Sequence, residues 1–206
     1  VEEGPFGEYT GYRTSPRDFR VTFRVNCITY RNNATMTISN MGVPQDEGQL
    51  LRSFSLGLEL EKLLKSQGIP VTGVYMHPRS THHMMIVGVK PTYSGIAQQI
   101  AQLAFGSKLG PWFHMVMVVD DKTDIYNWDE VYHAFCTRCH PANGIHIYRN
   151  STGTPLYPFA TPHERKHSIG SKVVFDCLWP VDWDPINDVP TLVSFKNVYP
   201  KDIQDK

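Results

Sequence analysis

Two glutamates five residues apart, in Glu3-Gly4-Pro5-Phe6-Gly7-Glu8, are the pair whose types and spacing suit proton transfer. Glycine and proline between them restrict the backbone, so two carboxylates can be held in a fixed relation, and carboxylates in unequal environments divide acid and base roles. Residue types alone describe equally a surface turn with two solvated glutamates, which is the commoner situation.

Two further motifs carry chemistry in other proteins. Cys136-Thr137-Arg138-Cys139-His140 matches the haem-attachment pattern of c-type cytochromes, in which two thiols bind the porphyrin and the His ligates iron. It falls inside an amphipathic helical stretch, where core cysteines are the better account. His163-Glu164-Arg165-Lys166-His167 matches the zincin pattern, which needs a helix so that two His share a face with Glu as base. Pro162 can open a helix there, but Ser168-Ile169-Gly170 closes it within about two turns. No third ligand follows at a family spacing, although His82, His83 or His140 could reach the site in three dimensions. A solvated, His-rich loop is the plain alternative, and a zinc hydrolase is the competing enzyme class.

The elements that must position these residues follow from periodicity. Near alternation of apolar and polar residues over 19–30 predicts a strand with one buried face. Asp46 is placed to cap a helix whose apolar positions are Leu50, Leu51, Phe54, Leu58, Leu60, Leu63 and Leu64, ending at Gly68. Strands are predicted over 71–76, 83–89, 113–119 and 172–178, with helices over 94–105 and from Asn127 through Cys139 toward Pro141. Residues 150–170, rich in Pro, Thr, His and Gly without a period, read as an ordered loop of functional character. Alternating strands and helices predict a layered α/β domain with a mostly parallel or mixed sheet.

The chain has 206 residues, enough for one substantial core. Lys+Arg and Asp+Glu both number 20, so no global field favours nucleic acid or an anionic membrane. Apolar runs such as 84–89 and 115–119 are strand-length, too short to cross a bilayer. Four cysteines are too few for a disulfide scaffold, and three sit in surroundings expected to be interior, which fits a reducing, cytosolic compartment. The triplets at Asn33 and Asn150 match glycosylation acceptors and read as chance. The chain opens on Val1 without a charged leader and reads as trimmed.

The run Glu3 to Tyr12 resembles the signature of the UbiD family, the prenylated-FMN-dependent reversible decarboxylases. Ile28-Thr29-Tyr30-Arg31-Asn32-Asn33-Ala34, Gln45-Asp46-Glu47, Val118-Val119-Asp120-Asp121, Ala134-Phe135-Cys136-Thr137-Arg138-Cys139 and Lys172-Val173-Val174-Phe175-Asp176 resemble the family in the same order. The resemblance runs over nearly the whole chain and absorbs the haem and zincin patterns. It implies an α/β/α C-terminal domain with a mixed sheet over 41–206, with a dimerisation role, preceded over 1–40 by the last strands of a split β-barrel that binds prenylated FMN.

The resemblance also implies roles. Glu8 is the general acid that protonates the carbon losing carbon dioxide, and Glu3 is its partner in a Glu-Arg-Glu network whose arginine has no counterpart here. The main ligands of manganese and an associated potassium ion likewise lie upstream of the signature. Lys108 matches a contact to the cofactor phosphate, and Arg138 and Asp176 with the backbone of Leu178 match a second, structural potassium site. Arg52, Trp112 and Thr154 stand where cinnamate-type relatives place apolar or small residues or an aromatic. A guanidinium and a hydroxyl suit a hydroxylated ring, which favours protocatechuate- or gallate-like acids over cinnamates. The alternative is an inert oligomerisation fragment of such an enzyme, to be completed by the remainder of its parent.

Overall fold

In the computed structural model, which describes residues 1–14 and 16–205, a two-residue strand Glu2–Glu3 (β1) pairs antiparallel with Asp18–Phe19 (β2). The long helix Glu47–Ser66 (α1) follows, then strands Val71–Met76 (β3) and Met84–Val89 (β4), helix Ile96–Gly106 (α2) and strand Met115–Asp120 (β5). Helix Trp128–Arg138 (α3), strand Ile145–Thr152 (β6), helix Pro162–His167 (α4) and strand Ile169–Asp176 (β7) complete the domain. Two short helices, Phe195–Val198 (α5) and Lys201–Gln204 (α6), lie beyond it.

The sheet runs β3-β4-β5-β7-β6. Its three central strands are parallel, and the outer strands β3 and β6 are antiparallel to their neighbours. Side chains alternate across a sheet, so parity assigns the faces. Met85, Val87, Val116, Val118 and Val174 pack with α1 and α2, whereas Ile86, Met117 and Val119 pack with Val131 and Ala134 of α3. That is the expected α/β/α layering. Each fully buried aliphatic side chain contributes about 1.5–3 kcal/mol.

Helix α1 begins with a capping box. Asp46 Oδ1 accepts from the Gln49 backbone N–H at 2.8 Å, and Gln49 Oε1 accepts from the Asp46 N–H at 3.1 Å. Its buried stripe corrects the expected one: Gln49, Ser53, Gly57, Leu60 and Leu64 face inward, while Leu50, Leu51, Phe54 and Leu58 are exposed. Small residues decide this. A Cβ on Gly57 would stand 3.1 Å from the Val74 carbonyl oxygen, so the helix sits too close to β3 for a leucine stripe there.

Other expectations are also corrected. Residues 20–46 form no strand, and Phe23, at the centre of the expected buried face, is 90% exposed. Alternation makes a segment competent to pair, but a strand needs a neighbour to take its backbone hydrogen bonds, and the described residues offer none beyond β1. Among the described residues the last barrel strands expected over 1–40 are present only as the short β1–β2 pair. Of the cysteines only Cys177 is buried; Cys139 is half-buried and Cys27 and Cys136 are exposed. Part of the expected loop is regular, since β6 runs through Thr152 and α4 starts at Pro162.

Candidate active site

Glu3 lies exposed on β1 opposite Asp18, and Glu8 is half-buried in the turn that follows. The turn is closed by Glu8 N–H to Tyr12 O at 3.0 Å and Gly11 N–H to Glu8 O at 2.9 Å. Gly11 has φ +81°, a conformation that glycine adopts without strain. Glu3 and Glu8 line one cleft of about 600 Å³, together with Thr154, Arg165 and Lys166 from the far end of the chain. That volume is in the range of small-molecule sites.

Three ties press this arm onto the α/β domain. Gln49 Nε2 donates to Tyr9 O at 2.8 Å, so the residue that caps α1 also holds the arm. Arg165 Nη1 donates to Thr14 O at 2.7 Å and to Pro155 O at 2.8 Å. The Tyr9 ring packs beside His82 and His83, with centroids 5.3 and 5.9 Å away.

Tyr9, next to Glu8 in the chain, joins an aromatic and cationic cluster. The Arg52 guanidinium lies 4.6 Å from the Trp112 ring and 5.9 Å from that of Tyr9, near enough for both to hold it by cation–π attraction. His83 packs against His114 and Tyr157 at 4.9 and 5.0 Å, and Tyr157 Oη donates to Pro111 O at 3.0 Å. Burial pushes His83 down to about 3, helped by the neighbouring His114 and His82. Burial pushes His114 down to about 4, with Lys172 opposing its charge as well. Both rings are therefore neutral near pH 7. Burial raises the Tyr9 hydroxyl, against the pull of Arg52.

Tyr9 Oη, Ser53 Oγ, His82 Nδ1, His83 Nε2 and His114 Nδ1 are buried and find no hydrogen-bond partner among the described residues. Each such atom costs about 1–3 kcal/mol, a cost met where a polar ligand can satisfy it.

The expected residues therefore fall into groups. Glu3, Glu8 and Thr154 share a cleft, and Arg52 and Trp112 form a stack that reaches Tyr9. Lys108 is exposed on the turn that bears Trp112 and does not line the cleft. Arg138 and Asp176 lie elsewhere, at the ends of α3 and β7. Arg138 Nη1 is paired with Asp120 Oδ2 at 2.9 Å, and Asp176 Oδ1 accepts from the Leu178 N–H at 3.1 Å. Burial raises the Asp176 pKa. Within the zincin-like motif, Glu164 accepts from the Thr161 N–H at 2.8 Å in a capping box, so its carboxylate is committed to the helix start. Among the described residues no group of three or more His, Cys, Asp or Glu could hold a metal ion.

Sequence reasoning missed Tyr9, His114, Arg165 and Lys172 as site residues and weighed His83 only as a third ligand for zinc. The histidines come from the starts of two strands and carry no common spacing. Arg165 was visible only as an interior letter of the motif read for zinc.

A parallel-centred α/β/α sheet with a glutamate-bearing arm tied to α1 and to Arg165 is the scaffold that the UbiD resemblance implies. The chain belongs to that family: residues 49–177 match the 3-octaprenyl-4-hydroxybenzoate carboxy-lyase C-terminal domain and residues 1–44 its Rift-related domain. It is 28% identical to ferulic acid decarboxylase 1 of Saccharomyces cerevisiae over 99% of this chain and 42% of that protein. It is 29% identical to the phenolic acid decarboxylase of Sedimentibacter hydroxybenzoicus over 89% of this chain and 37% of that protein. The vanillic acid decarboxylase of the same bacterium, in closed form, superposes with a TM-score of 0.84 at 27% identity, over 100% of this chain and 41% of that one. HmfF of Pelotomaculum thermopropionicum, solved in complex with FMN, has a TM-score of 0.77 over 95% of this chain and 42% of that one; at 23% identity it speaks for the fold alone. The chain thus spans about two-fifths of the length of the curated relatives it matches.

Proposed function

We propose that this chain carries the acid pair and ring pocket of a prenylated-FMN-dependent decarboxylase. Its substrate is an aromatic acid of the hydroxybenzoate type, such as protocatechuate or gallate, or else an α,β-unsaturated acid. The observation that carries the reading is the single cleft shared by Glu3, Glu8 and Thr154; Tyr9, next to Glu8 in the chain, carries Arg52, which also stacks on Trp112.

When bound, the prenylated flavin supplies the sink for the electron pair released as carbon dioxide leaves. Glu8 delivers its proton to the substrate carbon that has lost the carboxylate and regains one from solvent. Glu3, from the same cleft, biases the charge around Glu8. Thr154 and the unpaired atoms of Tyr9 and His83 offer donors and acceptors to ring hydroxyls, and Arg52 offers a delocalised cation to a phenolic oxygen. Lys108, exposed and without an ion-pair partner among the described residues, would meet the cofactor phosphate as a point cation.

The Arg138 and Asp176 positions, with the backbone of Leu178, would hold a structural potassium ion, which would offset the half-buried Asp176 carboxylate. Manganese and its own potassium take their main ligands from the remainder of the parent enzyme. The exposed Leu51, Phe54 and Leu58 face of α1 supports a homodimer or higher homo-oligomer, and the free cysteines suit the cytoplasm. Neither nucleic acid nor a membrane is a partner on this reading; no helix among the described residues is long and apolar enough to cross a bilayer.

A second reading makes the chain an inert oligomerisation piece, favoured by the exposed apolar residues of 21–30. One experiment separates the two: carbon dioxide release from hydroxybenzoic and cinnamic acids, by the intact parent co-produced with a flavin prenyltransferase and by this chain alone. Cofactor-dependent release by the parent that vanishes in Glu8→Gln, with the fold retained, upholds the decarboxylase. Undiminished release by Glu8→Gln removes Glu8 from the mechanism and assigns the chain a supporting part; the chain alone is expected to be silent on either reading, since the main metal ligands lie in the remainder of the parent.

A further inference from the structure

Lys172 lies within β7 at 2% exposure, and none of the ion pairs among the described residues includes it. Burying an ammonium without a counter-ion works against folding, and burial lowers this one to about 8. Methionine would fill a similar volume without that cost. The contribution of the lysine therefore lies in what its donors hold.

Lys172 Nζ donates to the Gly110 carbonyl and, at 2.9 Å, to the Phe113 carbonyl, and it lies 5.1 Å from the Phe105 ring centroid. Both acceptors belong to one turn, Gly110–Trp112 and its flanks, which carries Lys108 and Trp112. The same turn is fixed from other sides. Ser107 Oγ donates to Ala104 O at 2.7 Å, Tyr157 Oη donates to Pro111 O at 3.0 Å, and a Cβ on Gly110 would run into the Phe105 carbonyl.

We propose that Lys172 is a positioning residue: from inside the sheet it holds two carbonyls of the 107–113 turn and so sets where Trp112 carries Arg52 and where Lys108 points. The significance of this for catalysis rests on the site reading above, but the geometry stands without it. The titratable groups facing Lys172 are His114, just before β5, and Tyr148, paired across on β6; His83, before β4, and Tyr157, on the loop after β6, pack against His114 behind them. The histidines are held neutral and burial raises both tyrosines, so none of these changes charge between about pH 7 and 9. Loss of the Lys172 proton weakens two charge-assisted hydrogen bonds to the turn.

The test uses this chain with Trp128, Trp179 and Trp183 replaced by Phe, so that fluorescence reports Trp112 alone. In that background Lys172→Met is expected to keep its far-UV circular dichroism and its denaturant midpoint or raise it, while acrylamide quenching of Trp112 rises about twofold or more as the turn loosens. The parent background is expected to show a Trp112 step near pH 8 that the Met variant lacks. Unchanged quenching in a folded Met variant would overturn the proposal and leave Lys172 a packing residue. Should the variant not fold, the titration decides alone: a step near pH 8 upholds the tether and a flat signal removes it. Turnover is never read, so failure here and failure of the decarboxylase reading are separate results.

Discussion

The Arg165 guanidinium donates to the carbonyl of Thr14 at 2.7 Å, joining residues 151 positions apart. It also binds the carbonyls of Pro155, Pro158 and Ala160 at 2.8, 3.0 and 3.0 Å. One planar fork thus fastens the glutamate arm to the loop that carries Thr154, which is why Glu8 and Thr154 meet in one cleft.

Arg165→Gln should free that arm. Hydrogen bonds to a charged donor each contribute about 1.5–3 kcal/mol, and several are lost together. Amide exchange at Glu8 and Gly11, whose N–H groups close the arm's turn, is expected to accelerate by about tenfold or more while the sheet amides keep their protection. Equal protection at Glu8 and Gly11 in both proteins would show that the arm holds without Arg165.

Acid should destabilise the fold through its buried histidines. His83 and His114 have folded pKa values near 3 and 4 against 6.5 in the unfolded chain, so between these limits the unfolded state binds more protons. Their contribution is complete above about pH 6.5 and drains as pH falls, at up to about 1.4 kcal/mol per histidine per pH unit. Denaturant midpoints between pH 7 and 4.5 should drop, and drop less in His83→Phe; a flat profile would contradict the burial argument.

Arg52→Met removes the cation stacked on Trp112 while keeping a long apolar side chain. In the assembled enzyme the ratio of kcat/KM for hydroxybenzoates over cinnamates is expected to fall by about tenfold or more, because a site built around ring oxygens loses its discrimination with its polar partner. A ratio that stays put would move Arg52 out of substrate recognition.

The Asp120–Arg138 pair, at 2.9 Å, joins a buried carboxylate to a largely buried guanidinium. Asp120→Leu leaves the guanidinium without its counter-charge and should cost about 3–5 kcal/mol in chemical denaturation. Replacing both partners, Asp120→Leu with Arg138→Met, should recover much of that loss. If the double variant is as unstable as the single one, the pair is not the source of the penalty.

Periodicity was enough for the elements from α1 to α3, but it gave neither β6 nor α4. The helix from Asp46, strands β3, β4 and β5 and the helix from Asn127 lie close to where their patterns placed them, because each has a clear period and a local cap or break. The Glu3 to Tyr12 run was legible as chemistry and as resemblance, and it lies at the cleft. The strand expected over 19–30 was misread beyond Phe19 because alternation records only the ability to pair, and pairing requires a neighbour. The buried stripe of α1 was misread because leucines outrank Ser53 and Gly57 in any hydrophobic count, although close approach to β3 selects the small residues.

By itself, then, the sequence determined helices α1, α2 and α3, strands β3, β4 and β5 and most of β7, a layered α/β class, and which two carboxylates are available; the elements follow from periods and caps within a few residues. Tertiary structure alone decided that Arg165 closes the cleft around Glu8, that His83 and His114 are neutral, and that Lys172 holds the Trp112 turn. Those properties come from desolvation and from hydrogen bonds to backbone carbonyls far along the chain. A carbonyl acceptor has no letter of its own, so no spacing in the sequence marks it.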